Sequence, residues 1–219
     1  NDMWYHIGQN TEKSRFIYNH KTKGISWVKD ANTTDVEVQM VKKIALEIMN
    51  TNTEAGKRIS YLQNSKNTSV IIKISKTGKT ETNAENWEKA CNGDGTTAFV
   101  NINILDVKKY REGIEKDLRA SFVHEVAGHA YSFCNGTSTY RGDGKGTWQG
   151  LCIEEQKAVA MENEIRNYYS LPQREKYQDL WDMPIFDAKT NSWFLRPGEF
   201  DFKGGYRTLQ GPVERWGLQ

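Results

Sequence analysis

The run His124-Glu125-Val126-Ala127-Gly128-His129 puts two imidazoles and a carboxylate within six residues. Imidazole nitrogens are zinc ligands, and a neighbouring carboxylate can take a proton from water. The commoner metal spacing, H-E-x-x-H, sets its histidines four apart on one helix face. Here they are five apart. At about 100° per residue, that turns the second ring about 140° from the first, so a regular α-helix cannot aim both at one ion. A single wide π turn accommodates one extra residue, and such turns occur mostly at functional sites. Gly128, directly before His129, is the residue most tolerant of irregular backbone. An alternative keeps the helix regular: Glu125 and His129, four apart, chelate the ion, and His124 is left out.

A third ligand is sought downstream. Ile153-Glu154-Glu155-Gln156-Lys157-Ala158 opens the next helical stretch, with a small residue three positions after Glu155. A carboxylate there can complete the site, and the small side chain lets this helix approach the first. Taken alone, two glutamates near a helix N-terminus are simply favourable charges. Beside the histidine pair the ligand reading prevails, with either Glu154 or Glu155 as the donor. The other histidines, His6 and His20, lie far upstream, so H-E-x-x-H-x-x-G-x-x-H is absent. The expected ion is Zn2+ on two histidines and a glutamate.

The elements that must position these residues follow from periodicity. Aromatic and β-branched residues before residue 30, with a turn at Lys-Thr-Lys-Gly (21–24), predict a strand pair. Val38, Val41, Ile44, Ala45 and Ile48 predict a helix that Asp35 can cap, and a shorter one covers 54–62. Residues 69–75 and 97–105 read as strands. Helices are expected over about 114–134, stopped by Asn135-Gly136, and about 149–169, stopped by Pro172. Glu162 and Arg166, four apart, read as a helix-surface ion pair. The Gly-rich segment 135–149 between these helices reads as a mobile lid. Residues 170–219 hold all the prolines and many aromatics, a tail expected to wrap the rest. The sum is one α+β domain over 1–219: an N-terminal strand pair (1–34), a catalytic core (35–169) and the wrapping tail (170–219).

Composition narrows the class. Of 219 residues, 37% are hydrophobic and 26% charged, which suits a soluble globule, and no apolar run approaches the roughly 20 residues of a membrane span. A net charge of +2 gives no nucleic-acid signature, so neither nucleic acid nor membrane is expected as a partner. Cys91, Cys134 and Cys152 read as thiols. The chain does not begin with Met and reads as part of a longer polypeptide, with any targeting signal upstream.

His-Glu-x-x-Gly-His with Glu-Glu-x-x-Ala resembles the dipeptidyl-peptidase III type of zinc peptidase. That resemblance implies His124, His129 and Glu155 as zinc ligands and Glu125 as the group that activates water. Residues 45–177 are similar more broadly to bacterial effector and polymorphic-toxin zinc metallopeptidases, the NleD-like group and the C-terminal domains of Rhs-type toxins. The similarity lies in AGKRISYLQNSKNTSVIIKI, in the His-Ala-Tyr after the metal motif, and in EEQKAVAMENEIRNYYSLPQREKY. That group generally has the four-residue histidine spacing. The likeness implies a zincin-like (gluzincin) domain, a small sheet with a metal helix and a following ligand helix. It also implies an endopeptidase secreted or injected as a toxin or effector, a protein or peptide substrate, and room for a cognate immunity protein. Tyr131, Tyr140, Tyr168, Tyr169 and Arg166 are available to stabilise an oxyanion. The alternative of another class is a binding module that keeps the fold without the reaction.

Overall fold

The computed structural model describes residues 23–195 apart from 107, 112, 179 and 180. Its centre is a four-stranded sheet in the order β1-β2-β4-β3, formed by β1 (Gly24–Lys29), β2 (Ser69–Ser75), β3 (Glu81–Ala84) and β4 (Ala98–Asn103). β2 runs parallel to both β1 and β4, and β3 is antiparallel to β4. Val70, Ile72 and Ile74 of β2 and Val100 and Ile102 of β4 are buried, as expected of strands in the middle of a covered sheet. The architecture is α+β.

Two helices make the crossover that parallel pairing of β1 and β2 requires: α1 (Asp35–Met49) and α2 (Glu54–Gln63). The arm of the expected strand pair that precedes β1 falls outside the described residues. Asp35 is not the cap of α1. Thr34 is, in a capping box with Glu37, while Asp35 pairs with Lys29 at 2.6 Å on the surface. Val38, Val41, Ala45 and Ile48 face the core at the expected spacing.

The metal motif lies in one rod of three pieces, α3 (Leu118–Val123), a π-helical turn (His124–Ala130) and α4 (Tyr131–Cys134). Asp117, rather than a residue near 114, caps its start by accepting from the Arg119 and Ala120 amides. After Asn135 the chain turns on Gly136 at φ +68°, where an added Cβ would also strike the Gly93 backbone at 2.6 Å. Against this rod lies α5 (Trp148–Tyr168), capped by Thr147 and buried without interruption from Glu154 to Arg166.

Tail residues 171–195 double back along α5 as two short hairpins, β5 (Lys176–Tyr177) with β6 (Trp181–Asp182) and β7 (Ile185–Asp187) with β8 (Ser192–Phe194). The Asn163 side chain fastens them, donating to the Arg174 and Pro184 carbonyls and accepting from the Arg174 amide. Trp193 adds a bond to the Ala160 carbonyl. All three cysteines are free thiols. Among the described residues, no helix is long and apolar enough to cross a membrane.

Candidate metal centre

The five-residue spacing is resolved by the wide turn. In an α-helix the Tyr131 amide would donate to Ala127; here it donates to Val126 and Gly128. The extra residue brings the two rings to one side, with His124 Nε2 and His129 Nε2 3.2 Å apart. Glu155 of α5 closes the triangle, its oxygens lying 3.4 Å from His124 Nε2 and 3.6 Å from His129 Nε2. Ligands at about 2.0–2.2 Å in a tetrahedron stand about 3.3–3.6 Å from one another. The two imidazole nitrogens and the two carboxylate oxygens lie at about these separations, each imidazole beside a different oxygen of Glu155. All three residues are buried, and together they can hold a metal ion.

The tautomers agree with this. His124 Nδ1 donates to Glu162 Oε2 at 3.1 Å, which leaves the Nε2 lone pair facing the site. On the other ring, His129 Nδ1 faces Glu154 Oε1 at 3.6 Å, and Phe133 stacks on the face of that ring. Two Nε2 lone pairs at 3.2 Å repel unless a positive charge sits between them. Burial alone would lower the His124 pKa, but the adjacent Glu155 and Glu162 carboxylates outweigh it and lift it to about 10. His129 is raised as well, the Glu155 charge overcoming the effect of burial. Glu155 Oε2 is buried without a hydrogen-bond partner, as suits an oxygen reserved for an ion. The cluster therefore favours a cation.

Comparison with family models, curated proteins and solved structures finds no match to this chain.

Glu125 is not among the three converging donors. Its Oε2 lies 2.7 Å from the Thr82 hydroxyl of β3, which also reaches the Glu125 carbonyl at 3.2 Å. The pairing of Glu125 with His129 on a regular helix is thus not what forms. Glu154 and Glu155 divide their tasks. Glu154 backs His129 and binds the Thr139 amide and the Lys157 ammonium, which together offset its burial and hold its pKa down at about 2.

Glu162 and Arg166 are no surface pair. Both are fully buried, joined at 2.8 Å, and Glu162 also accepts from Arg174 at 3.0 Å. Despite its burial, the Glu162 carboxyl is held well below the usual range by Arg174 and His124. An i,i+4 pair looks the same in sequence whether it faces solvent or the tail. The signal that was available is the polarity of residues 154–166 on every side of the helix, which a one-sided surface helix does not show. Glu162→Gln is expected to weaken metal binding by about 10- to 100-fold while the chain stays folded by circular dichroism. Chelator competition measures it.

Of the residues set aside for an oxyanion, Tyr131 lies beneath Arg58, Tyr140 against Trp87 and Tyr169 beneath Arg119. Arg166 is committed to Glu162 and to the Pro172 and Glu115 carbonyls. Tyr177 in β5, which the sequence did not single out, lies within reach of the Glu155 and Glu125 charges. Burial first, and then the Glu155 charge, push its phenol well above the ordinary value, so it keeps its proton. Tyr177 also stacks on Trp181, which meets the half-exposed Trp148 edge-on. The segment expected to act as a lid is pinned at its start: Lys157 binds the Thr137 carbonyl, Ser138 donates to Ala90, and Thr139 is tied to Glu154.

Proposed function

We propose that this chain is a zinc-dependent peptidase with a zincin-like, glutamate-liganded centre, acting on a protein or peptide. One observation carries the reading: the Nε2 atoms of His124 and His129 converge to 3.2 Å, with one oxygen of the buried Glu155 3.4 Å from the first and the other 3.6 Å from the second. Two imidazoles and one carboxylate form a donor set typical of catalytic zinc, which leaves a fourth place for water. A bound zinc ion would supply an acidified water and polarise a peptide carbonyl. The remaining work falls to side chains. Glu125, with Oε2 engaged by Thr82, has Oε1 left to take a proton and pass it to the departing amine. Tyr177 holds a proton with which to stabilise the developing oxyanion. β3 ends the sheet, and an extended peptide added along it would run past Thr82 and Glu125.

The role as a secreted or injected toxin or effector, and an immunity protein as partner, belong to the same proposal and rest on the likeness of residues 45–177 to that group. The metal part is tested by elemental analysis of the purified chain beside His129→Ala and Glu155→Ala. About one zinc per chain is expected in the parent, and close to none in either variant. A folded parent that takes up no zinc on reconstitution would sink the proposal.

A further inference from the structure

The wide turn leaves one carbonyl without its helical partner. With the Tyr131 amide bonded to Val126 and Gly128, the Ala127 oxygen is passed over. Arg58 of α2 reaches it, Nη1 donating to Ala127 O at 3.4 Å. The same guanidinium lies 4.5 Å over the Tyr131 ring, so one side chain holds both the bypassed acceptor and the residue whose amide bypasses it. Arg58 is only 5% exposed, and its charge is met by Glu54 at 3.1 Å. α2 is itself set against α5, whose Glu164 carboxylate accepts from the Glu54 and Ala55 amides at 2.8 and 2.9 Å. One helix thus supplies the third ligand and also anchors the clamp on the first two.

We infer that Arg58 is the positioning residue that stabilises the wide turn and thereby fixes His129 in register with His124. The geometry stands by itself; the consequence for metal rests on the zinc reading above. Without the guanidinium, a buried carbonyl loses its donor, a costly state. The nearest relief is for the Tyr131 amide to slide back to Ala127. That closes the wide turn into α-helix and swings His129 about 100° relative to His124.

Hydrogen exchange of the metal-free chain tests the turn, and the visible spectrum of added Co2+ tests its consequence. In Arg58→Met, amides 128–132 are expected to exchange at least about tenfold faster while those of β2 and β4 stay slow, and the tetrahedral cobalt bands should weaken. Arg58→Lys, with one donor in place of the fork, should fall between parent and Met. If the Met variant does not fold, the Lys variant decides, and parental exchange at 128–132 in it would overturn the inference. So would parental exchange and spectrum in a folded Arg58→Met. A parent that binds no cobalt, with local exchange still faster in the variants, would uphold the role of Arg58 in the turn and remove the metal reading instead.

Discussion

Glu125→Gln is expected to leave the zinc content at the parental level and to lower peptide hydrolysis by at least about 10²- to 10⁴-fold. Glutamine has nearly the shape of glutamate, and its amide oxygen can still accept from Thr82, so the β3 contact at 2.7 Å should survive. What changes is the other atom, which becomes an NH2 group unable to take a proton. The three converging donors, His124, His129 and Glu155, are untouched. Zinc content and the rate on a denatured-protein substrate, measured on the same preparation, separate base from ligand. Loss of zinc would mean that Glu125 coordinates, the arrangement a regular helix would have required. Tyr177→Phe belongs in the same assay. It removes the hydroxyl but keeps the ring against Trp181, and should lower kcat by about 10²-fold with zinc retained. An unchanged kcat would take the phenol out of the chemistry.

The fold was legible wherever hydrophobic period reports burial. Val38, Val41, Ala45 and Ile48 gave α1, and the apolar runs of β2 and β4 gave the middle of the sheet. The wide turn was legible for another reason: two histidines five apart can meet only if the helix is broken in that one way. β3 was not legible. Glu-Thr-Asn-Ala has no apolar alternation, and its strand form depends on β4 and on Asn101, whose amide donates to the Lys79 carbonyl just before it. Yet β3 supplies Thr82, the residue that orients the expected base. The second carboxylate behind His124 was hidden for a related reason. Glu162 becomes a buried partner only because Asn163 draws Arg174 and the tail across it, a contact local spacing does not encode.

Gly128 was marked correctly for a reason the structure replaces, and its substitution carries the second large effect. Its backbone is not in the left-handed region, so conformational freedom is not what the position demands. A Cβ there would lie 2.6 Å from the Ala158 Cα and 2.7 Å from its Cβ. Carbon atoms rest at about 3.5–4.0 Å, so Gly128→Ala must push α5 back by something like an ångström. That helix carries Glu154, Glu155 and Glu162, and moving it opens the 3.4 and 3.6 Å edges on which the centre depends. The expected result is a stability loss of about 1–3 kcal/mol in urea unfolding, with metal affinity lower by at least about tenfold. The sign is informative. At a helical position with open space, alanine would stabilise by up to about 1 kcal/mol over glycine, so a stabilised variant would refute the contact. Ala158→Gly removes the Cβ at 2.7 Å but leaves the Cα at 2.6 Å, so in combination it should restore part of the loss. Such coupling in a double-mutant cycle would place the effect in the helix-to-helix approach; simple additivity would place it elsewhere. Gly128 and Ala158 then form one seat, and it is this seat, together with the wide turn, that lets a carboxylate from α5 reach two histidines spaced five apart.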